Sequence, residues 1–456
     1  MESHYRSRSW FKAIKELGEL YIVSVMPEER KIFKSEGVPN GNILDLHEPK
    51  VEEVELQVAH QYIQKFESKF ELNVFDIALM DRTIKNKDYD YILKYAYIVA
   101  KKSEHFVLKN NIEVVFLEAT WMHEIFMCNI CKYFSIPVFN IQISKIIPNR
   151  FFFFKGYLNS TFYERKNKNL TIKAVIEKVS LLDKDSKPQY FDKLSNRNKF
   201  KLSKLLVLYD LVRLSFLNYS NKNIQPSWHR ALVKKIASIM RAFVLTRSNL
   251  FVVNSNIVNL KYVLITLHVQ PEASIDVLGS KFSDQIGFVQ DIARTTPSSH
   301  MVVVKEHPHA IGSRKSEFYE KLRENPNVIL AHPYEDSREL IKRSDLVLSN
   351  TGTSSLEAAL AGVPSSVASE MYFSSILSTP VFNPCVDSVR RLIQIGKEWK
   401  RDTNRRKKAV QSLIDIESNS FVGNLWEFKI DRSVLEKENI KSLRVAFEEV
   451  IDTVAL

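Results

Sequence analysis

The residues best placed to do chemistry are Thr351, Gly352, Thr353, Ser354 and Ser355, which follow the apolar run Leu346, Val347, Leu348. This order reads as a buried strand, a tight Gly turn and a helix that opens on hydroxyls. Backbone amides at such a helix start lack partners and carry partial positive charge, so they favour a phosphate or carboxylate. Ser354 and Glu357 stand three apart and share a helix face, where a carboxylate could accept hydrogen bonds from ribose hydroxyls. The small residues Ala358, Ala359, Ala361 and Gly362 let the helix lie close on a sheet. The sum is a cradle for a nucleotide's phosphate. The competing reading is an ordinary strand-to-helix turn with a hydroxyl cap.

Two other clusters stand in equivalent positions. After the run 261–267 come His268, Gln270, Glu272 and Asp276; after 301–305 come Glu306, His307, Pro308 and His309, then Gly312 and Arg314. Parallel strand ends converge at one edge of a sheet, so the three loops should line one crevice. Lys305, His307 and His309 offer donors to an anion there. Arg314 is a candidate partner for an anionic substrate, His268 and Gln270 for a sugar, and Glu272 and Asp276 are candidate acids. Pro308 keeps His307 extended. For each residue the alternative is an ordinary loop side chain.

These loops need a sheet to hold them, and the pattern supplies one. Strands are expected at 261–267, 301–305, 328–331, 346–349 and 365–368. Helices are expected at 283–295, 316–324, 336–343 and 354–361. Strict alternation implies a parallel α/β domain of the Rossmann type. Upstream, the strand 113–117, the helix 121–134 and the strand 136–142 make a second βαβ unit. Glu118 then sits at a strand's carboxyl end and, with His123, is a candidate general base. A helix-capping role competes for Glu118. The chain opens on a helix, 4–17, before its first strand at 20–25. That leaves either a missing first strand or an irregular N-terminal domain.

The expected organisation is an N-terminal domain to residue 255 with a helical insertion at about 145–245, a second domain over 256–400 and a helical tail over 401–456. At 456 residues two domains are the natural division. The 45% hydrophobic and 26% charged content is that of a globular chain. The net charge is +12 and the isoelectric point about 9.3. That excess suits an anionic substrate or membrane surface; nucleic acid is not expected, because neither a zinc-finger spacing nor an aromatic-basic signature is present. Cys128 and Cys131 have metal-site spacing but no second pair, so they read as core thiols and no metal is expected. Few cysteines and a polar N-terminus suit the cytoplasm. No run is apolar enough to span a bilayer. The runs 151–154 and 205–217 could touch a membrane's inner face, although buried core is the better reading for both.

Val304 to Pro308, Gly312 with Arg314, Asn327 to Leu330, Asp336 with Ser337, and Thr351 to Ala358 follow one another in an order that resembles the capsule polysaccharide biosynthesis family, which includes bacterial β-Kdo transferases. The loop Leu267 to Glu272 is similar to that family's first C-terminal-domain loop. The match covers about 260–370 and, more weakly, 112–150. The resemblance implies a GT-B glycosyltransferase: two Rossmann-like domains, a nucleotide-sugar donor in the second, a glycan or lipid-linked acceptor, and no cofactor or catalytic metal. It assigns His307, Thr353, Ser354 and Ser355 to the phosphate and Glu357 to the ribose, and favours a CMP-sugar such as CMP-Kdo for capsule or lipopolysaccharide synthesis. It does not place a catalytic carboxylate, so Glu118 and Glu272 both stay open. A nucleotide-sugar epimerase and a non-catalytic glycan-binding partner of the same fold are the alternatives.

Overall fold

The computed structural model describes residues 3–25, 27–47, 49–166, 168, 175–177, 179, 228–253, 256–426 and 431–454. Most of the expected helical insertion, including the apolar run 205–217, lies outside these residues. The chain is α/β, as its patterning implies. Its contacts divide it into two units: residues 1–169 with 417–456, and residues 170–416.

The first unit opens with α1 (Ser3–Ile14), β1 (Ile22–Ser24), α2 (Pro27–Ser35) and β2 (Ile43–Asp45). β1 and β2 form a parallel ribbon of their own. Helices α3 (Leu56–Phe70), α4 (Val74–Met80) and α5 (Tyr89–Lys109) lead into β3 (Val115–Leu117), α6 (Met122–Tyr133), β4 (Val138–Ile143) and β5 (Arg150–Lys155). β3 and β4 pair in parallel across α6, the βαβ unit read from the sequence. The next strand corrects that reading. Residues 150–155, assigned to a helical or irregular insertion, form a strand that pairs antiparallel with β4. Phe151, Phe152, Phe153 and Phe154 are all buried in it, so this run serves the core and leaves nothing for a membrane surface. Aromatic residues favour a strand covered on both faces.

In the second unit, α7 (Trp228–Leu245) precedes β6 (Tyr262–Thr266), α8 (Ala273–Asp276), α9 (Gln285–Thr295), β7 (Met301–Lys305), α10 (Ser316–Arg323), β8 (Val328–Ala331), α11 (Ser337–Arg343), β9 (Leu346–Ser349), α12 (Thr353–Leu360) and β10 (Ser365–Val367). The five strands make one parallel sheet in the order β10-β9-β6-β7-β8. The first strand is therefore central, and the order reverses between β6 and β9. Val263, Ile265, Val302, Val304, Leu346 and Leu348 are fully buried on one face; Tyr262, Leu264, Val303 and Val347 are buried on the other. Burial on both faces is why these strands read as continuous apolar runs rather than alternating ones.

Helices α13 (Val389–Arg401) and α14 (Arg405–Glu417) complete the second unit, while β11 (Phe421–Val422) and α15 (Lys437–Val454) return to the first. β11 pairs with β5. Phe447 of α15 sits 4.8 Å from Phe116 and 5.2 Å from Phe153, centroid to centroid. Within the helical tail expected over 401–456, β11 and α15 supply core to the first unit, and α7, placed before a boundary at 255, lies with the second.

Candidate functional site

The three suspected loops meet at the carboxyl edge of the second unit's sheet, where the strand order reverses. Such switch points open a crevice between diverging connections. Direct hydrogen bonds tie the loops together. The Thr351 amide donates to His268 Nε2 at 3.3 Å, and the Thr351 hydroxyl to the Ser274 carbonyl at 2.8 Å. The Thr266 and Ser354 hydroxyls are 2.6 Å apart, across β6 and α12. Arg314 Nη2 donates to the His268 carbonyl at 2.5 Å.

The start of α12 is built for close approach. Gly352 occupies the cap position in extended conformation, and no side chain caps the helix. A Cβ on Gly352 would lie 3.0 Å from Ser349 Cβ and 3.2 Å from Ser354 Oγ. The first-turn amides of Thr353 and Ser354 are thus left for another acceptor. Thr353, Ser354 and Glu357 are half-buried, so they line an accessible edge. Ser355 is placed differently. It is fully buried, 2.8 Å from the Ser349 hydroxyl, and donates to the Ser366 carbonyl at 2.9 Å. Its hydroxyl pins α12 to β9 and β10.

Four residues expected to touch substrate are engaged by the protein itself. Ser355 is one, and Thr351 another, 4% exposed with both its amide and hydroxyl bonded. Lys305 is buried and donates to the carbonyls of Glu306 at 3.0 Å and Pro333 at 2.5 Å, joining the ends of β7 and β8. Burial lowers its pKa to about 8. Arg314 forms a close ion pair with Glu306. These are positioning contacts, and the reason is burial: a cation behind the loops must find its anion inside the protein.

Glu306 is the residue that the motif reading passed over. It is 1% exposed and accepts from the His307 amide at 2.6 Å, the Tyr319 hydroxyl at 2.9 Å and Arg314. Its carboxylate fixes the loop that carries His307. Gln285 does the same for the β6 loop. Its Oε1 accepts from the His268 amide at 2.7 Å, and its Nε2 donates to the carbonyl of His268 at 3.3 Å and to Gln270 Oε1 at 3.1 Å. Gln270 in turn donates to Asp276 at 2.8 Å. Asn350 donates to the Gly279 and Phe282 carbonyls, closing the same loop onto β9. Glu272 is exposed and accepts from the Ser274 hydroxyl.

Desolvation and neighbouring cations favour the neutral form of both site histidines. His268 is pushed down to about 4 by burial first, then by His307 and Arg314. Desolvation and then His309, Lys305 and Arg314 bring His307 to about 4, although the residue is exposed to solvent. His307 Nδ1 accepts from the His309 amide at 3.2 Å. Its proton therefore sits on Nε2, which becomes a neutral donor. His268 carries its proton on Nδ1, since its Nε2 accepts from Thr351.

In the first unit Glu118 follows β3 directly, as expected, in a loop held by Asn140, whose Oδ1 accepts from the Ala119 amide at 3.1 Å. The helix cap belongs to Glu124, which accepts from the amides of Thr120 at 2.7 Å and Trp121 at 2.9 Å. Burial raises its carboxyl to about 8. Asp81 adds a further buried carboxylate that accepts from the Met122 amide at 2.9 Å. His123 is buried and lowered to about 4 by desolvation, which makes it a weak base. Glu three residues after Trp121 was a legible capping signal; Asp81, 41 residues upstream of α6, left none. Cys128 and Cys131 are buried on α6, with thiols raised by burial to about 11 and about 12. Among the described residues no helix is long and apolar enough to cross a membrane.

No protein-family model matches the chain, and no curated protein matches its sequence. Solved structures similar to it include the β-Kdo 2,7-transferase KpsC of Thermosulfurimonas dismutans, at 13% identity over 70% of this chain and 89% of that one, TM-score 0.29. The UDP-GlcNAc 2-epimerase of Methanocaldococcus jannaschii is similar at 13% identity, covering 90% and 95%, TM-score 0.26. A glycotransferase of kitacinnamycin is similar at 11% identity, covering 99% and 95%, TM-score 0.28. At these scores the likenesses carry no argument; the fold is read from the chain's own strand order.

Proposed function

We propose that the second unit holds a nucleotide sugar by its phosphate, and that the chain is a glycosyltransferase of the GT-B class acting on a glycan or glycolipid acceptor. The observation that carries this reading is the uncapped start of α12 at the reversal between β6 and β9, with the His268 and His307 loops bonded around it. Amides of Thr353 and Ser354 and their hydroxyls take the phosphate oxygens. Glu357, one turn on, takes ribose hydroxyls. Neutral His307 donates through Nε2 to the phosphate as it leaves, so that charge developing on oxygen meets fixed dipoles. Glu306, Arg314, Gln285, Thr351 and Ser355 hold these groups in place. Glu118 is the candidate base for the acceptor hydroxyl, with exposed Glu272 the other carboxylate. The resemblance of the His-Pro and Thr-Ser-Ser segments to those of CMP-sugar-using transferases favours a CMP-sugar of the Kdo type, used in building a bacterial surface polysaccharide.

Thermal stability against CMP, UDP, GDP and ADP tests the cradle, because a ligand of the native state raises Tm. One nucleotide should raise it selectively. The pair H307A/S354A should lose that rise and lower the unliganded stability only slightly, by about 1 kcal/mol for the lost Thr266–Ser354 bond. The control S355A should cost about 1 kcal/mol of stability for a buried hydroxyl bond, lowering the unliganded Tm, and keep the selectivity. No rise with any nucleotide would refute the site. A nucleotide-bound product with an altered sugar, formed without acceptor, would replace transfer by epimerisation.

A further inference from the structure

Helix α7 packs on the second unit through one face. Leu245 is buried in the core and Ala242 packs beside it. Arg241 Nε donates to the Gly312 carbonyl at 2.9 Å. Gly312 has φ +84°, and a Cβ there would come within 2.1 Å of the Ser238 carbonyl. At 100° per residue, Ser238, Arg241, Ala242 and Leu245 define the inner side. On the opposite side stand Val233, Ile236, Met240, Phe243 and Val244, with Ile239 at its margin. All six are exposed, Val233 and Met240 at 65% each. A continuous stripe of large apolar side chains on one helix face marks a docking surface rather than a scatter of surface residues.

The charge of the surrounding sequence says what docks. Residues 193–271 contain 13 Lys and Arg and a single acid, Asp210. Thirteen less one is +12, the net charge of the whole chain; the remainder holds 52 residues of each sign. The entire excess of positive charge therefore belongs to the stretch that carries the stripe. Arg247, just past the helix end, is exposed and lies over the ring of outward-facing Phe243, 3.7 Å from its centroid. Apolar residues flanked by cations, on a helix too polar to cross a bilayer, match the headgroup boundary of an anionic membrane. A nucleic-acid backbone would satisfy the cations and leave the stripe in water.

We propose that the outer face of α7 docks the protein on an anionic lipid bilayer. Gly312 and Arg314 belong to the loop that carries His307, so the docked helix leans directly on the candidate site's support. Co-sedimentation of the full chain with vesicles of phosphatidylcholine mixed with phosphatidylglycerol, or of phosphatidylcholine alone, tests this. The protein should pellet with the anionic vesicles, less so at high salt, and M240Q/F243Q should weaken binding by at least about tenfold with its Tm and nucleotide response unchanged. Absence of pelleting with anionic vesicles overturns the proposal, as does equal pelleting of the variant. A fall in Tm or a halved solution mass in M240Q/F243Q, with no vesicle binding by the parent, would assign the stripe instead to residues of the same chain or to a second copy.

Discussion

Replacing Glu306 by Ala tests whether the His307 loop is held as described. The carboxylate is 1% exposed and the side chain of Arg314 10%. Its removal leaves a guanidinium, the Tyr319 hydroxyl and the His307 amide without their acceptor. Breaking one side of a buried pair costs about 3–5 kcal/mol, because the remaining charge stays in low dielectric. R314M alone should cost nearly as much, since it strands the carboxylate and frees the His268 carbonyl. In E306A/R314M neither charge remains. The double variant should therefore cost less than the sum of the singles, by about 2 kcal/mol, a coupling within the range for contacting groups. Urea unfolding of the four proteins measures the cycle. E306A should also weaken nucleotide binding, because the His307 amide loses its 2.6 Å anchor. Additive costs, or an E306A penalty under about 1 kcal/mol, would refute the view that this pair clamps the site loops.

Two further perturbations read other parts of the structure. G312A should destabilise the second unit by about 3 kcal/mol or more, since alanine meets both a positive φ and the Ser238 carbonyl 2.1 Å away; thermal unfolding reads it, and a neutral result would mean that α7 does not pack there. In the first unit, burial raises Glu124 to about 8, so between about 4.5 and 8 the folded state binds a proton that the unfolded chain has released. Stability is then lost as pH rises through that window, by up to about 5 kcal/mol. E124Q keeps an acceptor for the two amides and lacks this term. Its stability relative to the parent should rise with pH over the same range, and parallel pH profiles would show that the carboxyl is not buried.

Much of the second unit was legible in the chain because its strands are covered on both faces. Runs such as Val302, Val303, Val304 and Leu346, Val347, Leu348 admit few readings, and helices of ordinary length between them dictate parallel pairing. The position of the candidate site followed, since chemistry-bearing residues cluster after each strand and parallel strand ends share an edge. Residue types alone left the division of labour undecided. Thr353, Ser354 and Ser355 are equivalent as sequence, yet only the packing of α12 on β9 and β10 buries Ser355 and leaves the others accessible. Lys305 and Arg314 look like anion ligands until burial supplies Pro333 and Glu306 as partners.

The first unit was less readable, because its decisive contacts are distant in sequence. β11 joins β5 across 270 residues, and Arg150 meets Ser420 there. Asp81 accepts from the first amide of a helix that starts 41 residues later. Four successive phenylalanines fit a strand or a helix equally until a sheet covers both their faces. Periodicity and local caps follow from covalent neighbours, so the sequence alone determined the parallel sheet, its strand ends and the cluster of polar loops. Which polar side chains face one another and which stay open to a ligand depends on burial, and burial is set only when distant segments pack.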